Sequence, residues 1–142
     1  MKFLGENKME NKKELYRKNL HATYLLTGQG RLDEFKSYLA PEVEWTEAAG
    51  FPYAGTYVGP DEVIKNVHER LGSEWDNYGA EDLKYSFNGS TVMVYGKYSG
   101  TYKATQKSFV ADFVHVYEFD GNDKVSKFIQ VVDSATVVEA TK

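Results

Sequence analysis

The chain has 142 residues, no cysteine, and a formal net charge of −4 that comes from 21 acidic and 17 basic side chains. This length suits one domain that can bury its own core, and the absence of cysteine excludes disulfides, thiol catalysis and cysteine-ligated zinc. Because the charges are spread along the sequence, there is no basic stripe to neutralise phosphates, and we predict no nucleic-acid partner.

The N-terminal segment is predicted to stand outside the domain. Residues 1–11 contain a single apolar pair and lack the apolar stretch of a secretory signal. No window of the sequence approaches the ~20 apolar residues that span a bilayer. We predict a disordered leader at residues 1–11, a single domain at residues 12–140, no membrane partner, and a cytoplasmic location, with which the lack of cysteine is compatible.

Two helices are predicted first. Apolar and aromatic residues recur at helical spacing across residues 12–27. A short second helix is marked by Leu32, Phe35 and Leu39. Pro41 must end it, because proline lacks an amide proton and disfavours helical geometry in the residue before it.

A strand, a loop and a third helix follow. Residues 43–47 alternate as a short strand does, which places Trp45 and Glu47 on one face. The glycine-rich run at residues 48–59 suits an irregular loop. Pro60 opens the third helix, since proline is tolerated in the first turn.

The rest of the chain is predicted to be a meander of antiparallel strands. Apolar runs alternate with turn signals such as Asn88-Gly89, which favours a tight hairpin. Helices first and hairpin-linked strands afterwards indicate an α+β fold. The four strands are predicted at residues 79–87, 91–102, 107–119 and 124–134.

The third of these strands places a histidine in the middle of an apolar face. By period-two alternation, Phe113, His115 and Tyr117 lie on one face, while Val110 and Val114 lie on the other. Both faces are therefore largely apolar, although a strand exposed on one side should alternate more cleanly. The second face is predicted to meet helices, a cavity wall or another subunit, and a homodimer through the sheet follows as a hypothesis.

The standard motifs of cofactor chemistry are missing. The sequence has no phosphate loop, dinucleotide fingerprint or nucleophile elbow. His21, His68 and His115 are too scattered to predict a zinc site, and we interpret His21 and His68 as helix-surface or boundary residues. We predict no cofactor and no metal.

Four segments carry a resemblance to a known family: residues 39–47 (LAPEVEWTE), 53–60 (YAGTYVGP), 113–117 (FVHVY) and 128–133 (FIQVVD). With them the chain resembles the SnoaL-like proteins of the ketosteroid isomerase and nuclear transport factor 2 superfamily. The resemblance implies a cone-shaped nuclear transport factor 2-like fold of the α+β class. In this fold three N-terminal helices pack on a strongly curved antiparallel sheet that encloses an apolar pocket. It implies less about function, because the superfamily contains isomerases, cyclases, hydrolases and transport factors.

The resemblance also assigns chemical roles to two residues. Glu47 falls where steroid isomerases keep a carboxylate base, and His115 falls where they keep the acid of the oxyanion hole. The helix tyrosine of the isomerases falls near Thr23, and the neighbouring Tyr24 is expected to point elsewhere.

A second catalytic pattern of the family is incomplete. SnoaL-like cyclases pair the strand histidine with an aspartate on the last strand, and this position is held here by Gln130, which cannot take up a proton. Asp133 is expected to face the opposite side of that strand, and Asp112 and Asp133 are expected to be hydrogen-bonded or exposed. The residues predicted to bind substrate are Trp45, Tyr53, Tyr57, Phe113 and Gln130.

Each assignment has a structural alternative. Glu47 could be a solvated carboxylate at a strand end, although the nearby Trp45 favours a desolvated carboxyl of raised pKa. His115 could be a core histidine bonded to a backbone carbonyl, and the aromatic residues could serve packing alone.

The leading hypothesis is a small-molecule-binding protein that performs cofactor-free isomerase or cyclase chemistry on an apolar carbonyl or polyketide-like substrate. Glu47 would abstract a proton next to the carbonyl, and His115, with Gln130, would stabilise the oxyanion. The alternative is a non-catalytic ligand-binding or dimeric interaction module that keeps the pocket. Epoxide opening comes third, because no arginine is predicted to face inward.

Overall fold

The computed structural model of the protein describes residues 4–142, and it describes side chains from residue 12 onward. Residues 1–3 of the predicted disordered leader lie outside the described residues, and residues 4–11 belong to the first helix. The helices are α1 (Leu4–Gly28), α2 (Leu32–Lys36), α3 (Pro60–Val63), α4 (Glu69–Glu74) and α5 (Ser134–Ala140), with a π-helical turn (Ile64–His68) between α3 and α4. The strands are β1 (Leu39–Glu47), β2 (Gly55–Val58), β3 (Trp75–Asn88), β4 (Thr91–Tyr102), β5 (Ser108–Phe119) and β6 (Val125–Val132).

The predicted fold class is confirmed, because helices pack on a curved six-stranded sheet. The strand order is β2-β1-β6-β5-β4-β3, which leaves β2 and β3 at the edges. Neighbouring strands are antiparallel except for β1 and β6, which run parallel. These two strands are far apart in the sequence, so no hairpin signal could reveal that they pair.

Three local predictions are wrong. Leu39 belongs to β1, where it pairs with Val125, because strand pairing overrides the helical spacing of the apolar residues before it. Residues 55–58 form β2 rather than loop, paired along β1. The last strand ends at Val132, and Asp133 starts α5 by accepting a hydrogen bond from the backbone N–H of Thr136 at 3.2 Å.

Aromatic stacks fasten the first helix to the sheet and neighbouring strands to each other. Tyr16 of α1 stacks on Phe119 of β5 with the ring centroids 3.9 Å apart, and Leu20, one turn further along α1, is completely buried. Within the sheet, Trp45 of β1 stacks on Phe128 of β6 at 3.8 Å.

The outer face of the sheet carries an apolar patch. Val110 of β5 is 60% exposed and Val131 of β6 is 57% exposed. The strand register links these residues to neighbours on the same face, because Val114 lies opposite both Tyr95 and Val131. We call Met93, Tyr95, Val110, Ile129 and Val131 the outer patch. Within residues 4–142, the helices are all too short or too polar to cross a membrane.

Candidate functional site

A cavity of about 410 Å³ lies between the helices and the inner face of the sheet. Its size and its largely aromatic wall are typical of small-molecule sites. Among the described residues that line it, none is lysine or arginine, so the wall offers no cation to an anionic ligand. The aromatic lining includes Phe35, Trp45, Phe51, Trp75, Tyr98 and Phe128.

Glu47, the last residue of β1, brings a carboxyl group into this cavity. The residue is only 5% exposed, and its Oε1 accepts a hydrogen bond from Trp45 Nε1 at 3.0 Å. Its Oε2 is buried and has no hydrogen-bond partner among residues 12–142. Burial raises the pKa of Glu47 from 4.5 to about 7, against the opposing effect of the Trp45 and Gln130 side chains. The carboxyl can therefore be ionised or protonated near neutral pH.

Gln130 of β6 is held in one orientation beside this carboxyl. Its Oε1 accepts the backbone N–H of Ala48 at 2.9 Å, so the other end of its amide is the donor. That Nε2 donates to the hydroxyl of Tyr98 at 3.0 Å. Gln130 thus connects the end of β1 to a hydroxyl group on β4.

His115 of β5 is buried, and both of its ring nitrogens are occupied by tyrosines. Nδ1 lies 2.8 Å from the hydroxyl of Tyr24 on α1, and Nε2 contacts the hydroxyl of Tyr98. The hydroxyl of Tyr117 donates to that of Tyr24 at 2.8 Å. Burial lowers the pKa of His115 well below its usual value, with a smaller contribution from His68, so the ring is neutral at physiological pH.

Counting protons in this network shows that one is left over. A neutral His115 carries one N–H, and Tyr24 and Tyr98 carry one O–H each, while only two contacts join the three groups. Both ends of the network already receive hydrogen bonds, from Tyr117 and from Gln130. The surplus proton therefore sits on Tyr24 or on Tyr98, according to the tautomer of His115. Both tyrosines line the cavity, so a hydroxyl donor faces it in either case.

The structure brings four of the predicted site residues together. Trp45, Glu47, His115 and Gln130 all line the cavity. The aspartates behave as expected, since Asp112 is exposed and accepts from Lys97 at 2.9 Å, while Asp133 caps α5.

Three residues that were predicted to bind substrate lie outside the cavity wall. The ring of Phe113 stacks on His115 at 4.0 Å and supports it. The hydroxyl of Tyr53 donates to Glu74 at 3.1 Å, and that of Tyr57 donates to the Tyr53 carbonyl at 2.8 Å. Tyr53 thus fastens the segment between β1 and β2 to α4, and Tyr57 braces the backbone of that segment.

The sequence reasoning missed several residues of the site. The expectation that Tyr24 points elsewhere is wrong. The sequence could have shown that Tyr24 faces inward, because Leu20 and Tyr24 are four residues apart and lie on the same side of the helix. Tyr98 and Tyr117 are ordinary aromatic residues in strand patterns, so only the tertiary structure reveals their role. His68, in the π-helical turn, packs against Phe35 at 4.7 Å, and burial lowers its pKa to about 4.

Comparisons with known proteins agree with the fold described above. Residues 21–128 match the family model of the SnoaL-like domain. The chain is 38% identical to a nuclear transport factor 2-like protein of Burkholderia thailandensis E264, with a TM-score of 0.83 over 89% of this chain and 97% of that one. No curated protein matches the chain significantly.

More distant structures share the fold alone. TerC, crystallised with polyporic acid, is 18% identical with a TM-score of 0.79, over 88% of this chain and 96% of that one. A protein of Shewanella denitrificans OS-217 that is described as a SnoaL-like polyketide cyclase is 12% identical with a TM-score of 0.76, over 89% of this chain and 96% of that one.

Proposed function

Because the chain belongs to the SnoaL-like domain family, we propose that it binds a small apolar carbonyl compound, cyclic or polyketide-like, and catalyses proton transfer at the carbon next to the carbonyl without a cofactor. The observation that carries this proposal is Glu47: a buried carboxyl with one oxygen free of protein partners in the described chain, in an aromatic cavity, with a pKa raised to about 7. A catalytic base works best when its pKa lies near the operating pH.

Glu47 acts as the base. Its carboxylate takes the proton from the carbon, the C–H electrons move into the carbon skeleton, and the carbonyl oxygen becomes an enolate oxygen. Return of the proton from Glu47 to another carbon completes an isomerisation. In a cyclisation the enolate carbon attacks a second carbonyl, the electrons of that C=O bond move to its oxygen, and this oxygen takes the proton back from Glu47. The aromatic wall excludes water and keeps the carboxyl desolvated.

The enolate oxygen accepts a hydrogen bond from the tyrosine hydroxyl that carries the surplus proton of the network. Since both nitrogens of His115 are bonded to tyrosines, His115 does not touch the substrate and is a positioning residue. It orients Tyr98 and Tyr24, and a change of tautomer lets either hydroxyl serve as the donor. A positioned donor of this kind stabilises the developing charge because it needs no reorientation during the reaction.

Exchange of a carbon-bound hydrogen in heavy water tests the proposal. With an enolisable bicyclic ketone such as β-tetralone as probe, we expect the wild-type protein to speed loss of the proton NMR signal next to the carbonyl. Glu47→Gln should lower this rate by about two to four orders of magnitude, because it keeps the shape but removes the base. Glu44→Gln is the matched control, since Glu44 is an exposed carboxylate on the same strand. Equal rates for wild type and Glu47→Gln would reject the role of Glu47.

A binding function without chemistry is the second candidate. It is favoured by the saturation of His115, which leaves neither family catalytic pair complete. TerC, a protein of the same fold, was crystallised with polyporic acid, and this supports small-molecule binding as a role for the fold. Mass spectrometry of a metabolite recovered from the purified protein, followed by a test for its conversion, separates the two candidates. A compound that is retained and never converted supports binding alone.

We also propose that the protein is a homodimer joined through the outer patch. Five apolar side chains on adjacent strands are exposed there, and patches of this kind mark interaction surfaces more often than single exposed residues do. The cavity lies on the other face of the sheet, so pairing through the outer patch does not cover its lining residues.

A further inference from the structure

One hydroxyl group in the cavity lacks a hydrogen-bond partner among the residues described with side chains. Tyr78 of β3 lines the cavity, and its hydroxyl oxygen is buried with no hydrogen-bond partner in the part of the chain described with side chains. Buried polar groups are nearly always hydrogen-bonded, so an unpaired one needs an explanation. Glu47 Oε2 and His68 Nδ1 are also unpaired within the same part of the chain, so three such atoms belong to residues that line one cavity.

The backbone of β3 is built to turn Tyr78 inward. Asp76 pairs with Thr101 and Gly79 pairs with Ser99, so two residues of β3 lie opposite the single Gly100 of β4. This is a β-bulge, a feature that re-aims side chains and is frequent near functional sites. The bulge includes Asn77, whose φ of 54° lies in the left-handed region that few residues other than glycine and asparagine adopt.

The partner strand makes room for the tyrosine. A Cβ at Gly100 would lie 3.2 Å from the Cα atom and 3.2 Å from the ring of Tyr78. The ring is further packed against Trp75, Tyr98 and Phe109, with centroids 5.6, 5.5 and 5.8 Å away. Because the ring is enclosed on these sides, its hydroxyl is fixed in the cavity.

We propose that Tyr78 is a ligand-binding residue whose hydroxyl donates a hydrogen bond to an oxygen of the cavity ligand beside Glu47. The ligand is then a flat apolar ring compound that carries a carbonyl, enol or phenol oxygen. This inference deepens the proposed function, because it names the chemical class that the same cavity takes. It does not depend on turnover.

The charges around Tyr78 agree with a donor role. Burial raises the pKa of Tyr78 well above its usual value, and the charge of Glu47 raises it further, so the hydroxyl keeps its proton at neutral pH. A phenol or enol oxygen can accept from Tyr78 and donate to the unpaired Glu47 Oε2 at once, which satisfies both atoms. The absence of lysine and arginine from the described lining disfavours carboxylate or phosphate ligands.

The test compares two flat probes that differ by one oxygen, β-naphthol and naphthalene, by fluorescence titration. Wild-type protein should bind β-naphthol more tightly than naphthalene. Tyr78→Phe should weaken β-naphthol binding by roughly 3- to 10-fold, the loss of one hydrogen bond, and change naphthalene binding by less than about 2-fold. Tyr85→Phe is the matched control, because Tyr85 lies on the same strand, donates its hydroxyl to Asp82 and does not line the cavity, and it should change neither affinity.

Thermal unfolding of the same variants separates binding from structure. Since the Tyr78 hydroxyl has no protein partner in the described chain, Tyr78→Phe should keep or raise the melting temperature. The inference would be overturned if Tyr78→Phe clearly lowered the melting temperature, or if it weakened the affinity for both probes equally. It would also be overturned if Tyr78→Phe left the affinity for β-naphthol unchanged, or if the wild type bound neither probe. Probe discrimination by Tyr78 without hydrogen exchange at β-tetralone would instead reject the proposed chemistry and leave the inference standing.

Discussion

At the scale of single residues, the buried carboxyl of Glu47 couples the site to pH. Its pKa is raised from 4.5 to about 7 in the folded protein, chiefly by burial. Between these two values the folded state binds a proton that the unfolded state has released, so folding stability falls as pH rises through this window. Above about pH 7 the loss of folding stability caused by Glu47 stays constant, because the carboxyl is then ionised in both the folded and the unfolded state.

We therefore expect Glu47→Gln to gain stability relative to the wild type as pH rises. The difference in unfolding free energy between the two proteins should grow by about 2 kcal/mol from about pH 5.5 to about pH 8. The lowered pKa values of His68 and His115 act in the opposite direction, but they occur in both proteins and cancel in the difference. Urea unfolding at several pH values provides the measurement, and a difference that stays flat with pH would mean that Glu47 is not desolvated.

The sequence predicted part of this chemistry. Glu47 and His115 could be found because they fall at strand positions that the family resemblance assigns to catalysis. The hydroxyl groups around His115 could not, since Tyr24, Tyr98 and Tyr117 come from three elements that only tertiary packing brings together. The prediction that His115 acts on the oxyanion directly misses that its two nitrogens are already used within the protein.

At the scale of elements, the β4–β5 pair holds His115 in place through a glycine. A Cβ at Gly96 would overlap the Glu81 carbonyl oxygen and the ring of Phe113. Phe113 in turn stacks on His115, so the close approach at Gly96 fixes the ring that carries the tyrosine network.

Gly96→Ala should destabilise the protein by about 1–3 kcal/mol, because a methyl group must displace a packed ring or backbone. It should also weaken binding of cavity probes, since Phe113 must move under His115. Gly121→Ala is the matched control, because a Cβ there would meet no heavy atom within 4 Å in the described part of the chain. Chemical denaturation checks the effect, and equal stability of the two variants would contradict this account of the packing.

The sequence reveals an element when the residues of that element itself carry the pattern, and it does not when the element depends on pairing with a distant segment. The first helix and strands β4 and β5 were predicted from local periodicity and turn residues, and they occur close to the expected places. Strand β2 and the parallel β1–β6 pair were not, because their pairing is non-local. Asp133 is a residue type that typically begins a helix, and it does cap α5. The helix was still missed, because it follows β6 directly and the apolar pattern of the strand continues into it.

At the scale of the whole molecule, the outer patch leads us to expect a dimer. Light scattering after size-exclusion chromatography should give twice the mass of the chain for the wild type. Val131→Lys should give the monomer, because it places a charge in the apolar patch, at a residue that is 57% exposed. Leu25→Lys, at an equally exposed apolar residue on α1, should leave the dimer intact. A monomeric wild type at micromolar concentration would refute pairing through the sheet.

The most direct test of the whole account is the protonation of Glu47 itself. Carbon-13 NMR of the glutamate carboxyl groups, with the Glu47 signal assigned from its loss in Glu47→Gln, follows this one group through a pH titration. We expect a midpoint at about 7, as a buried carboxyl in a dry cavity requires. A midpoint near the ordinary 4.5 would contradict the account, because a solvated carboxylate could neither hold its proton near neutral pH nor serve as the base proposed for this cavity.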